Sequence, residues 1–146
     1  MTAPRIDLDT AAPGVYPAMA AFDTAARAGV DPVLGELVRI RASQLNGCAF
    51  CLDMHTRAAL KAGEGQHRLD ALAAWRESPL FTGAERAALD LTESMTLIAG
   101  SGVSEEVVAA AAEHFDEAAL AALVWVIAAV NTWNRVAVAA ALRPPG

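Results

Sequence analysis

Two cysteines, one histidine and one carboxylate are spaced as a unit in this chain. Cys48 and Cys51 are three residues apart, and His55 lies four beyond Cys51. On a helix of about 3.6 residues per turn these side chains share one stripe. Asn46-Gly47 is a turn dipeptide suited to ending a preceding helix, Gly63 is placed to end the next, and no proline intervenes. Both cysteines are then expected in the first turn of a new helix, where unpaired N–H groups and the positive end of the helix dipole favour a thiolate. A Cys-X-X-Cys arrangement acts in the same direction on a thiol whose free pKa is about 8.5. His55 can take the proton of Cys51, one turn back. Glu36, on the preceding helix, supplies a carboxylate that would fix the histidine tautomer and stabilise the imidazolium, in the nucleophile, base and orienter order of a catalytic triad.

The elements that must hold these residues read as helices throughout. Asp31-Pro32 caps and opens a helix to about Asn46, with Leu34, Leu37, Val38 and Leu45 on its apolar stripe and Glu36 beside it. For a carboxylate in that position, with Arg39 three residues on, the bland alternative is a solvated surface pair. Before it, a helix is predicted from about Pro17 to Ala28, closed by Gly29. After the motif helix come a segment from Glu64 to Trp75 and a long helix opened by Thr82 and Glu85 and ended by Gly100-Ser101-Gly102. Ser104 caps a helix to about Phe115, and Asp116 caps the last, to about Leu142. No stretch alternates with period two, so the predicted fold class is an all-α bundle of about six to seven helices with no sheet. Residues 1–14, with Pro4 and Pro13, read as an N-terminal arm, and 15–146 as one domain.

The 146 residues carry a net charge of −6, and no basic patch offsets it, which argues against nucleic acid and anionic lipid as partners. The longest apolar run, 118–130, is too short to span a bilayer, and no signal-peptide core follows Met1, so a soluble cytoplasmic protein is expected. In a reducing compartment a CxxC pair is more often catalytic or metal-binding than a staple. A zinc site would combine Cys48, Cys51, His55 and Glu36, but structural zinc usually joins segments that cannot fold alone, whereas three of these four lie on one helix. Haem attachment needs histidine directly after the second cysteine, where Leu52 stands. No metal and no cofactor are therefore expected. Hydrophobic residues make up 55% of the chain, more than one small fold can hide, and the last helix is apolar on more than one face. A homo-oligomer is the expected outlet. Trp125 and Trp133, eight apart on that helix, are expected to pack on the core or on a subunit boundary. Asn131, Asn134 and Arg135 interrupt it and would tie it to the motif helix or to another subunit. Tyr16 is either a pocket wall or a helix-entry aromatic, and His67 and His114 read as surface or capping residues.

Glu, eleven residues, Cys-X-X-Cys, three residues and His resembles the signature of the AhpD-like alkylhydroperoxidases of the carboxymuconolactone decarboxylase superfamily, at Glu36, Cys48, Cys51 and His55. The likeness extends from about Ala18 through GEGQHRLDALAAWRESPLFTGAERAALDLTES to Asn131–Arg135. Some members carry a further histidine directly before the second cysteine, where this chain has Phe50, which makes the pocket floor more apolar. The resemblance implies a thiol-dependent peroxidase acting on organic hydroperoxides or hydrogen peroxide, reset by an external dithiol reductant, and built as a trimer or a hexamer of trimers. Cys51 is expected to attack and Cys48 to resolve, because His55 faces Cys51 most directly, whereas the position of Cys48 nearer the positive end of the helix dipole argues for the reverse order. The alternatives are a lactone decarboxylase-type enzyme on the same fold, or a non-catalytic, redox-responsive helical oligomer.

Overall fold

Asp31 and Pro32 start the helix on which the others pack. The Asp31 carboxylate accepts from Leu34 N at 3.0 Å, and proline occupies the first helical position, where its missing N–H costs nothing. The computed structural model describes residues 3–146, and Met1 and Thr2 of the expected arm lie outside them. In chain order the helices are α1 (Leu8–Ala11), α2 (Val15–Arg27), α3 (Pro32–Asn46), α4 (Ala49–Lys61), α5 (Gln66–Ala71) with a 3₁₀ turn at Leu72–Ala74, α6 (Gly83–Thr96), α7 (Ile98–Ser101), α8 (Glu105–Ala112) and α9 (Glu117–Ala140). No strand occurs among the described residues, in agreement with the all-α expectation.

The predicted N-caps form, but the Glu85 carboxylate, expected to complete a capping box with Thr82, accepts from Arg68 instead. Thr82, Ser104 and Asp116 each accept the backbone N–H three residues on. Several boundaries differ from the sequence expectation, among them the end of α8, at Ala112 and not near Phe115. Helix α2 starts at Val15, so Pro17 falls third in its first turn, where no N–H is needed. The long helix after Thr82 breaks at Leu97 (φ −96°, ψ 30°), just past Thr96, whose hydroxyl accepts from Asn131 on α9. Helix α9 stops at Ala140 because Ala141 turns left-handed (φ 59°), and Leu142 N donates back to Ala137 O at 2.9 Å in the hydrogen-bond pattern of a Schellman cap. The extra short pieces account for nine helices among the described residues where six to seven were expected.

Helix α3 lies between two cores. Val38 packs with Ala26, Leu91, Leu123, Val126 and Ile127, whereas Leu37 and Ile40 pack with Ala59, Leu72, Trp75, Phe81 and Leu89. With α9, α6 and α4 all against it, every residue of α3 from Gly35 to Ile40 is buried, and its polar side chains must find partners inside the protein. Gly29, expected as a helix stop, has a packing reason: a Cβ there would stand 2.5 Å from Ala122 Cβ, so α2 can approach α9 only with glycine at this place. By length and hydropathy alone α9 could cross a membrane, but Leu123, Val126, Ile127 and Val130 lie in the core of this bundle. Trp125 and Trp133 pack on α2 at the edge of the bundle. Trp125 meets Phe22 edge-to-face and Trp133 meets Tyr16 at a tilt, both on α2 (ring centroids 5.7 and 5.5 Å), and Trp125 stays 56% exposed.

Candidate active site

The junction between α3 and α4 is set by one residue. Gly47 takes φ 65°, a conformation that side chains other than glycine or asparagine resist. The chain then reverses with Gly47 N on Gln44 O and Cys48 N on Ser43 O. Cys48 follows in extended backbone as the N-cap of α4, its sulfur accepting from Cys51 N at 3.2 Å, so it precedes the first turn and only Cys51 lies within it. The two are joined as a disulfide with Cα atoms 5.3 Å apart. Both are buried against Ala137 of α9, with Phe50 and Leu142 around them, consistent with the apolar floor expected from Phe50.

His55, one turn beyond Cys51, is buried, and its Nδ1 lies 2.9 Å from Glu36 Oε2. Its Nε2 is buried with no hydrogen-bond partner among the described residues. The structure thus brings Glu36 and His55 into direct contact. It also adds a residue that sequence reasoning had left on the surface. Arg39 is 3% exposed and donates from Nη1 to Glu36 Oε1 at 3.1 Å, while Arg27 stands 3.9 Å from the same oxygen. The Glu36-X-X-Arg39 spacing was visible in the sequence, but only the covering of α3 turns that pair inward. Burial pushes the Glu36 carboxyl pKa up, yet the His55 hydrogen bond and charge, with Arg39 and Arg27, hold it below its ordinary value. Glu36 is therefore an anion at neutral pH, able to keep a proton on Nδ1 and to leave Nε2 as an acceptor. Gly35 keeps room for the guanidinium, since a Cβ there would stand 3.1 Å from Arg39 Nη1.

The asparagines of α9 tie down the end of α3 rather than the motif helix itself. Asn46 Nδ2 donates to Oδ1 of Asn131 (3.0 Å) and of Asn134 (2.9 Å). Asn134 Nδ2 donates to Ser43 Oγ, whose hydroxyl donates to Arg39 O. Arg135 Nη1 donates to Asn131 Oδ1 at 2.8 Å. This network holds Ser43 and Asn46 ahead of Gly47, and Ser43 O in turn accepts from Cys48 N. A cleft of about 220 Å³ borders Cys48, lined also by Arg5, Gly47, Ala49, Ala137, Val138, Ala141, Leu142 and Arg143. Tyr16 lines neither this cleft nor the one beside Glu36 and Arg39, and His67 and His114 are exposed at the surface.

The model of the Carboxymuconolactone decarboxylase family matches residues 13–94, a span containing Glu36, Cys48, Cys51 and His55. The uncharacterized protein YdfG of Bacillus subtilis (strain 168) is 46% identical over 104 residues, 71% of this chain and 71% of that protein. The uncharacterized protein YnjA of Escherichia coli (strain K12) is 34% identical over 105 residues, 72% of this chain and 57% of that protein. Among solved structures, ATU0492 of Agrobacterium tumefaciens, a protein of unknown function suggested to be the antioxidant defence protein AhpD, superposes with a TM-score of 0.94. It is 33% identical, covering 98% of this chain and 99% of that one. The debrominase Bmp8 shares the fold (TM-score 0.82) at 19% identity, over 92% of this chain and 73% of its own.

Proposed function

The chain belongs to the carboxymuconolactone decarboxylase family, and on that premise we propose that it is an AhpD-like thiol peroxidase of the cytoplasm, reducing organic hydroperoxides or hydrogen peroxide. The observation that carries this reading is the buried Glu36–His55 contact on the helix that begins at the Cys48–Cys51 disulfide. In the reduced protein His55 Nε2 accepts the Cys51 thiol proton while Glu36 holds Nδ1–H in place. The Cys51 thiolate attacks the terminal oxygen of the hydroperoxide, the O–O bond breaks, and the leaving alkoxide takes the proton back from His55 as an alcohol. Cys51 is then a sulfenic acid. The Cys48 thiol condenses with it, releasing water and forming the disulfide. An external reductant, expected to be a dithiol and required only to supply two thiolates, returns both cysteines to thiols and is itself oxidised to a disulfide. Phe50, Leu142 and Ala137 around the pair favour an organic substrate.

Thiol titration before and after one equivalent of cumene hydroperoxide tests the cycle. Both free thiols should vanish without intermolecular disulfides; thiols that survive excess peroxide would remove the peroxidase reading. The same proposal includes a homo-oligomer, a trimer or a hexamer. The apolar side chains of Val15, Tyr16, Trp125 and Val138, each about half exposed or more, support it. Sedimentation at micromolar protein should find no folded monomer.

A further inference from the structure

Every lysine or arginine side chain except Arg5, Lys61 and Arg143 makes a hydrogen bond or an ion pair among the described residues. Two of those three line the cleft that borders Cys48. Among the described residues no carboxylate side chain lines it, in a chain whose net charge is −6. The placement of both cations is built into the fold. Arg5 N donates to Ala140 O at 2.7 Å, which pins the N-terminal segment across the end of α9. The left-handed Ala141 then turns the tail so that Leu142 packs beside the disulfide and Arg143 reaches the same cleft. The walls are Ala49, Ala137, Val138 and Leu142, all apolar, and the sulfur-bearing residue at the cleft is Cys48 and not Cys51.

Resting on the reading of Cys48–Cys51 as a redox disulfide, we infer that this cleft receives the external reductant, and that the reductant is a small thiol bearing a carboxylate. Its thiolate sulfur bonds to Cys48 Sγ as the Cys48–Cys51 bond breaks. Cys51 leaves with the electron pair as a thiolate and is protonated beside His55. A second thiolate, of the same or another reductant molecule, attacks the reductant's sulfur in the mixed disulfide, so that Cys48 leaves as a thiolate and the reductant departs as a disulfide. The guanidinium forks of Arg5 and Arg143 match a carboxylate held next to the reacting sulfur, and they draw an anion into a site that the rest of the acidic surface repels.

The oxidised full-length chain, without peroxide, is mixed with 3-mercaptopropionate or with its neutral amide. Mixed-disulfide formation is followed by rapid acid quench, with mass spectrometry locating the modified cysteine and rates expressed per thiolate. At low salt the carboxylate should react about 10-fold faster, the lower end of what a cleft of one sign gives an oppositely charged ligand. The advantage should fall below about 2-fold in the Arg5→Gln/Arg143→Gln double variant and in about 0.5 M salt, where charges are screened within a few ångströms. Lys61→Gln, which removes the third cation without a partner among the described residues, away from the cleft, should keep it. Equal rates for the two thiols in the unmodified chain, or a mixed disulfide on Cys51, would overturn the inference. A chain that consumes peroxide yet treats the two thiols alike loses only this inference, whereas a disulfide that neither thiol opens removes the redox reading with it.

Discussion

Replacing Glu36 by glutamine keeps the shape of the side chain, but an amide cannot do what the carboxylate does at this position. Both oxygens are in use, Oε2 at 2.9 Å from His55 Nδ1 and Oε1 at 3.1 Å from Arg39 Nη1. Arginine can only donate. Glutamine has one acceptor oxygen, so it can satisfy Arg39 or preserve the Nδ1–H tautomer of His55, and not both. If the oxygen turns to the guanidinium, the NH₂ group donates to Nδ1 and the ring hydrogen moves to Nε2, the nitrogen needed as a base. A tautomer error of this kind costs about 10⁴-fold in a serine protease triad, and loss of general-base assistance alone costs about 10²-fold. The peroxide rate of Glu36→Gln should fall within those limits, by about 10²- to 10⁴-fold. Stopped-flow single turnovers of the reduced protein with cumene hydroperoxide, from about pH 6 to 10, measure it. The deficit should narrow as pH passes the free-thiol value of about 8.5, because a thiol that ionises unaided needs no base. Arg39 is left buried with a weaker partner, so a loss of about 3 kcal/mol in stability is expected and is read separately by urea unfolding. A rate equal to that of the unmodified chain at neutral pH, or a deficit that persists unchanged at high pH, would refute the Glu36–His55 relay.

Asn134→Ala should destabilise the fold by about 3 kcal/mol in urea unfolding, since it removes a fully buried side chain that bonds both Ser43 and Asn46. Ala141→Gly should stabilise by about 1 kcal/mol, raising Tm by a few degrees in calorimetry, because glycine adopts the left-handed cap without the Cβ penalty. Glu93 accepts from Trp75 Nε1, Arg41 and Arg76. Burial raises its pKa, but those three partners together hold it below the ordinary 4.5. A depressed native pKa contributes stability above the unfolded value and loses it as pH falls through the native one. The Tm gap between the unmodified chain and Glu93→Gln should therefore be full near pH 7 and close progressively below about pH 4.5; a gap independent of pH would show that Glu93 acts through shape alone.

What could be read from the residues alone is what neighbours within a turn decide. Asp31-Pro32, Gly47, Thr82, Ser104 and Asp116 mark helix ends through hydrogen bonds that reach no more than five residues, so the extent of α3 and the start of α4 followed from local chemistry. The same holds for the stripe of Cys48, Cys51 and His55, because helical spacing places them whatever surrounds the helix. Which side chains are covered depends on the other helices. Arg39 read as a surface partner of Glu36 until α3 proved to be enclosed by α4, α6 and α9, which leaves both charges almost no solvent, pairs them with each other and gives Glu36 His55 as its second partner. Asn131 and Asn134 signalled buried polar groups, but their partners, Ser43, Asn46 and Thr96, lie at least 35 residues away, and no spacing rule reaches that far. Arg5 and Arg143 stand near opposite ends of the chain and carry no motif. Only the backbone bond from Arg5 to Ala140 and the left-handed turn at Ala141 bring them together beside Cys48, because convergence of the chain ends is settled by packing and not by local propensity.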